Sequence, residues 1–322
     1  MNFTILNINN YIEKIAGKYS ADEILEILKG KQSEEFSSLI NTIIKEITDK
    51  EKTCRDIIKQ QEDKQTRLLE IFAETALGIQ FLKETQAYVT KIKSEIIEKG
   101  NDKDSILITL GNMAEYNLGV LKEIYVMSVN NCFLGAMGRY RVFLETYCIF
   151  LYFVKYPDAI VRFMDHYALR EYQGKRRSKM ETDDNKKFSE LRNKYKNEYD
   201  VFCKNYGWAC HTLSNPNSIK ELFRYAFDDS DYYFIKNEYN KASEYSHASL
   251  NIAMKKKLTM NEVADFLVRS GELSITLMQF YILWIVDISK ENDNRLHILV
   301  VILQKLKDTV FEKYHNNPTP AS

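Results

Sequence analysis

The chain has 322 residues, with 45 Lys+Arg balanced by 45 Asp+Glu and only 11 Gly and 4 Pro, the last two together about 5% where roughly 12% is usual. Gly and Pro punctuate strands, hairpins and tight turns, so their scarcity excludes sandwiches, barrels and many-turned α/β enzymes, as well as collagen-like and low-complexity chains. Zero net charge also removes the global attraction to nucleic acid that a strongly basic domain has, while leaving room for a local basic patch. The class that remains is all-α: a multi-helix bundle with long helices and few connections, for which 45% apolar residues can fill a core.

The N-terminus lacks the basic stretch and apolar core of a secretory signal. The most apolar runs, Val142 to Val154 and Leu273 to Ile288, fall short of the roughly 20 residues that span a bilayer. A cytoplasmic protein without a membrane partner is therefore expected. The five cysteines, Cys54, Cys132, Cys148, Cys203 and Cys210, are odd in number and scattered, a pattern of buried thiols in a reducing compartment.

From Ser33 to about Lys99 apolar residues fall on a 4,3 spacing, among them Ile40, Ile44, Ile47, Phe72, Leu82 and Val89, with mixed charge from Asp49 to Arg67. Such a seam needs a partner helix. It predicts a coiled-coil-like arm, a long helix or a helical hairpin with a break near Asp49 or Gly78, that either lies solvated on the surface or serves a homodimer or protein partner. Residues 1–100 form this N-terminal region. Gly100 and the Asp104-Ser105 pair then stop one helix and cap the next.

Residues 101–315 are the expected helical core domain. Ile106 to Tyr156 reads as one apolar helix or two, and its Gly111, Gly119, Gly135 and Gly138 predict close approach between helices, since each glycine costs about 1 kcal/mol against alanine. Pro157 ends it, and Asp158 to Gln173 forms a further helix. A polar insert at 170–217 follows, in which residues 170 to 204 hold eleven Lys+Arg against seven Asp+Glu. Its centre, Lys175, Arg176, Arg177 and Lys179, is either a solvated surface or a phosphate-contacting nucleic-acid patch. Helices are predicted over Ser218 to Ala226, from Asp228 to about Met254, over Asn261 to Ile288 and from Asn294 to about Tyr314. The tail, 316–322, is expected to be disordered.

Gly-rich phosphate loops, His-Glu-x-x-His and paired Cys-x-x-Cys are all missing. Cys203, Cys210 and His211 do not have zinc-ligand spacing. Arg162 and His166, with three residues between them, miss the four-to-six-residue gap of helical toxin ribonucleases. Neither a metal nor a cofactor is expected.

Two constellations carry chemistry. Arg141 and Glu145 share one face of the apolar core helix, where charges must pair or line a cavity because taking an ion from water costs several kcal/mol. They are a structural ion pair or a polar pocket with Glu145 as acid or base. Tyr239, Ser243, Ser246 and His247 form a polar stripe at i, i+4, i+7 and i+8. His247 is a proton carrier near neutral pH or a buried residue bonded to Glu145 or Tyr239. Arg141, Glu145 and His247 are the candidate catalytic residues, and Tyr239, Ser243, Ser246 and Trp208 the candidate ligand-binding ones.

The Gly138-to-Glu145 helix, Pro157, Trp208, Ser218 to Leu222, and the stretch Tyr239, Ser243, His247-Ala248-Ser249 together resemble an all-helical bacterial domain-of-unknown-function family. It is marked by Arg-x-x-x-Glu and Tyr-x-x-x-Ser-x-x-x-His-x-Ser helices, over about residues 105–260. Ala248 stands where that pattern usually has Gly or Pro. The resemblance implies that Arg141, Glu145, Tyr239, Ser243 and His247 gather at one site, in genes similar to those near mobile elements and phage-defence loci. Two functions fit: a helical interaction or defence-associated protein, or a metal-independent ribonuclease or phosphodiester hydrolase using His247, Glu145 and Arg141.

Overall fold

Thirteen α-helices and no strand occur among the described residues of the computed structural model, which are 8–28, 33–59, 66–96, 102–174, 182–213, 217–246, 260–289 and 293–310. In chain order they are α1 Ile8–Ala16, α2 Ala21–Leu28, α3 Glu34–Lys59, α4 Thr66–Ile96, α5 Asp102–Val129, α6 Phe133–Lys155, α7 Ala159–Gly174, α8 Thr182–Lys194, α9 Tyr199–Phe202, α10 Ile219–Ala226, α11 Asp229–Ser246, α12 Met260–Ser289 and α13 Asn294–Val310. A 3₁₀ turn spans Gly207–Ala209. Among the described residues, no helix is long and apolar enough to cross a membrane.

The chain divides into two units: unit 1 comprises residues 1–143 and 242–322, and unit 2 residues 144–241. The division falls inside α6 and inside α11.

In unit 1, α12 packs against α4, α5 and α13, and α13 packs in turn on α1, α2 and α3. The chemistry is plain burial. Val263, Leu267, Ile275, Ile282 and Ile285 of α12 and Leu296, Leu299, Ile302 and Leu306 of α13 are buried, each contributing roughly 1.5–3 kcal/mol relative to exposure. The 4,3 seam of Ser33 to Lys99 is carried by two helices, α3 and α4, which pack on each other. Its described apolar residues Ile40, Ile44, Phe72, Leu82 and Val89 are buried within the unit itself. Both Asp49 and Gly78 lie inside continuous helix. Within the expected N-terminal region 1–100, α1 and α2 precede Ser33, and α2 carries a capping box: the Ser20 hydroxyl accepts from the Glu23 backbone N–H at 3.3 Å, and the Glu23 carboxylate accepts from the Ser20 N–H at 2.8 Å.

Ile106 to Tyr156 is two helices. The break at Asn130–Cys132 has no Gly or Pro. Instead Asn131 takes a left-handed φ of 58°, a conformation Asn tolerates better than most residues, and the Cys132 N–H closes on the Met127 carbonyl at 2.7 Å.

Of the glycines expected to mark close packing, Gly111 does so: a Cβ there would lie 2.7 Å from the Tyr281 hydroxyl, whereas Gly119 faces open space. Gly111→Ala is expected to destabilise by about 1 kcal/mol in urea denaturation, because overpacking outweighs the helix-propensity gain of similar size.

Candidate functional site

Unit 2 is organised around an aromatic cluster. From α6 it takes Tyr152 and Phe153, from α7 Phe163, and from the 3₁₀ turn Trp208, whose ring centroid lies 5.4, 5.2 and 5.4 Å from theirs. Trp208 is 1% exposed. The expected ligand-binding tryptophan is thus sealed in the core, and only its carbonyl serves the polar site. Tyr152 keeps its hydroxyl hydrogen-bonded to that of Thr212; burial pushes its pKa up to about 12 in spite of that bond.

One turn of α7 places Arg162 beside Phe163, and its guanidinium fans out over three acceptors. Nε donates to the Trp208 carbonyl at 2.9 Å, and one Nη donates to Glu198 Oε1 at 2.8 Å and to Cys210 Sγ at 3.1 Å. The Cys210 thiol donates to the other Glu198 oxygen at 3.1 Å, closing a ring of three side chains. Tyr195 and Phe202 stack on each other at 3.7 Å, and the guanidinium carbon sits beside that stack, 5.2 and 5.4 Å from the two ring centroids. This arrangement suits arginine's planar cation and not lysine's point charge. The Tyr195 hydroxyl donates to Asp165 at 2.6 Å, as does Lys194. His166, edge-on to Phe202, donates from Nε2 to the Lys204 carbonyl at 2.9 Å.

The electrostatics follow from these contacts. Burial alone would raise the Glu198 carboxyl, but the bonds from Cys210 and Arg162 hold it below the usual range. Burial, followed by the Glu198 carboxylate, pushes the Cys210 thiol up. His166 is lowered by burial against the opposing Lys204 bond, and His211 by burial and then Arg162.

A pH dependence follows for His166. Its folded pKa lies below the ordinary 6.5 of the unfolded chain, so its contribution is complete above that value. It falls as pH drops through and below 6.5, where the unfolded state takes up the proton first. His211 acts with the same sign. Urea midpoints measured from about pH 7.5 to 5 are expected to decline for the native chain, and less steeply for His166→Gln.

Glu198 also lines a polar cleft of about 440 Å³, together with Arg192, Asn193, Lys196, Asn197 and Tyr199 among others. Arg192 lies 5.5 Å over the Tyr199 ring.

Of the residues expected to form the site, the structure brings Glu145 and Tyr239 together. The buried Tyr239 donates to Glu145 Oε1 at 2.8 Å and sits edge-on to Phe223. Cys148, fully buried one turn beyond Glu145 on α6, has its thiol pushed well up by burial and then by Glu145. Tyr239→Phe is expected to cost about 1.5–3 kcal/mol, the range for a bond to a charged group, read as a lower urea midpoint with unchanged helix content.

Arg141, half-buried on α6, and Ser243 belong to unit 1. The Ser243 hydroxyl is buried without a hydrogen-bond partner among the described residues. His247, the basic residues Lys175, Arg176, Arg177 and Lys179, and the 316–322 tail lie outside the described residues, as does the side chain of Ser246.

Sequence reading passed over the Arg162, Glu198 and Cys210 set. It weighed Arg162 only against a nuclease spacing and Cys210 only against a zinc spacing, while Glu198 carried no signal. No group of three or more His, Cys, Asp or Glu residues suited to a metal occurs among the described residues.

Comparison with known families adds one result. Residues 108–263 match DUF5677, a family of unknown function. The DUF5677 segment runs from α5 into the start of α12 and contains Arg141, Glu145, Arg162, Glu198, Trp208, Cys210 and Tyr239; α1 to α4 and α13 lie outside it. Neither the curated proteins nor the solved structures yielded a match.

Proposed function

We propose that this protein acts by binding, as a helical interaction protein of the kind associated with mobile-element and phage-defence genes, in which unit 2 holds a pre-set polar cleft. The observation that carries this reading is the commitment of Arg162 to the Trp208 carbonyl, Cys210 and Glu198, the last of which lines the cleft; the directions of the shifts around it agree. Glu198 is held low, Cys210 and Tyr195 are pushed up and His166 is pushed down, all away from neutrality. Acid–base catalysts are tuned the other way, toward the working pH. Arg162 is at the same time held by Trp208, Glu198 and Cys210, which favours a network that shapes the cleft wall at Glu198 over one that transfers protons.

A second reading is metal-independent phosphodiester hydrolysis by His247 with Glu145 and Arg141. It draws support from the Tyr239 bond, which fixes the Glu145 carboxylate in place. End-labelled RNA and DNA incubated with the full chain separate the two. Intact strands at high protein are expected for a binding protein. Cleavage that is lost in both Glu145→Gln and His247→Ala, with melting temperatures retained, would overturn that reading in favour of the hydrolase.

A further inference from the structure

The seam of α3 and α4 is covered inside unit 1, whereas α5 carries a 4,3-spaced stripe of mixed apolar and polar residues that is exposed among the described residues. Its inner face, including Leu107, Leu110, Ala114, Val120, Leu121 and Ile124, is buried where α5 packs on α4 and α12. On the outer face Ile108 is 45% exposed, Tyr116 49%, Val126 46% and Val129 39%. Ile108, Asn112 and Glu115 precede Gly119 at steps of four and three, and Lys122, Val126 and Val129 follow it at the same steps. All are exposed, on a stripe about 32 Å long at 1.5 Å per residue. A 3.5-residue repeat of this kind fits against another helix.

The order of residues along this stripe is self-complementary. When two copies cross antiparallel at Gly119, Ile108 meets Val129 of the second copy and Glu115 meets Lys122, each pairing occurring twice. A parallel pairing would set Glu115 on Glu115 and Lys122 on Lys122. Among the described residues neither charge has a salt-bridge partner, while their neighbour Glu123 is paired with Arg139 of α6. A Cβ at Gly119 would meet nothing within 4 Å among the described residues, so the backbone there is open to close approach. Two-fold pairing through one shared surface is the commonest mode of self-association.

We infer that the outer face of α5 is the docking surface for a second copy of this chain, an antiparallel α5 pair centred on Gly119 with reciprocal Glu115–Lys122 ion pairs. It goes beyond the binding reading of unit 2 and rests on different residues.

Sedimentation equilibrium of the full chain over about 0.5–100 µM, with Glu115→Lys, Lys122→Glu and the doubly exchanged chain, tests it. The native chain is expected to dimerise. Either single exchange sets like charges against each other in both reciprocal pairs and weakens association about tenfold or more. The double exchange restores it, and all four chains keep the same circular dichroism. A native chain that stays monomeric leaves the α5 face to another protein and overturns the inference. So does a dimer that the single exchanges do not weaken, which would place association on another surface, or a double exchange that fails to restore it. Nucleic-acid cleavage is untouched by any of these outcomes, so the two readings fail separately.

Discussion

Replacing Gly207 by alanine is expected to destabilise unit 2 by about 3 kcal/mol or more. A Cβ at that position would overlap the backbone carbonyl carbon and oxygen of Phe202 and the carbonyl oxygen of Val201. Those atoms belong to α9 and cannot rotate aside as the Tyr281 hydroxyl opposite Gly111 can. The 3₁₀ turn begins at Gly207 and delivers Trp208 into the cluster of Tyr152, Phe153 and Phe163. The same turn presents the carbonyl that Arg162 holds. Displacing the turn therefore disturbs packing and the polar network together. Urea denaturation followed by tryptophan fluorescence reads this, since Trp208 is one of only two tryptophans. A midpoint like that of the native chain would show that α9 and the turn move apart at little cost.

Arg162→Met is expected to lose about 2–3 kcal/mol. The change leaves the Trp208 carbonyl, Glu198 and Cys210 without their shared donor. The ion pair itself is partly exposed, at 23% for Arg162 and 36% for Glu198, so screening keeps its own share small and the hydrogen bonds carry most of the loss. Arg162→Lys is expected to recover little, because a single ammonium nitrogen cannot reproduce the donors that the guanidinium spreads over the Trp208 carbonyl, Glu198 and Cys210. A lysine variant of native stability would sink that account of the site. In the paired change Arg162→Met with Glu198→Gln, part of the loss should return, since the carboxylate no longer sits unpaired. A loss equal to the sum of the single changes would mean the two side chains act independently.

Much of the helical framework was readable from local pattern. The expected helix from Asp158 to Gln173 is α7, Ser218 to Ala226 is α10, and Asn261 to Ile288 is α12, each within a residue or two. Pro157 and Ser218 stop or precede helices because a missing N–H or a non-helical φ/ψ acts on adjacent residues. The break after α5 was harder to read. It depends on Asn131 in a left-handed conformation, which the Asn130-Asn131 pair signals weakly. The close approach expected at four glycines depends on what lies opposite each one, and sequence does not contain that: Gly111 meets Tyr281, and Gly119 meets nothing within 4 Å among the described residues.

The Glu145 and Tyr239 pair shows the same division. Glu145 stood out as a charge on an apolar helix and Tyr239 as part of a polar stripe, and desolvation required a partner for Glu145. Tyr239 is the donor that the structure supplies. Arg162, Glu198 and Cys210 did not stand out. Arg162 lies 36 residues from Glu198 and 48 from Cys210, and each looks like an ordinary residue of a polar helix or turn.

By itself, then, the sequence determined an all-α chain, the ends of α7, α10 and α12 and the need of Glu145 for a partner. These follow from turn chemistry, capping and the cost of desolvation, which act between near neighbours or on one residue at a time. Only the tertiary structure decided that Trp208 is core, that Arg162, Glu198 and Cys210 close one network, and that Ile108, Val126 and Val129 of α5 are exposed. A hydrogen bond of about 3 Å between distant helices leaves no periodicity in the chain, and an exposed face is defined only once every other helix has taken its place.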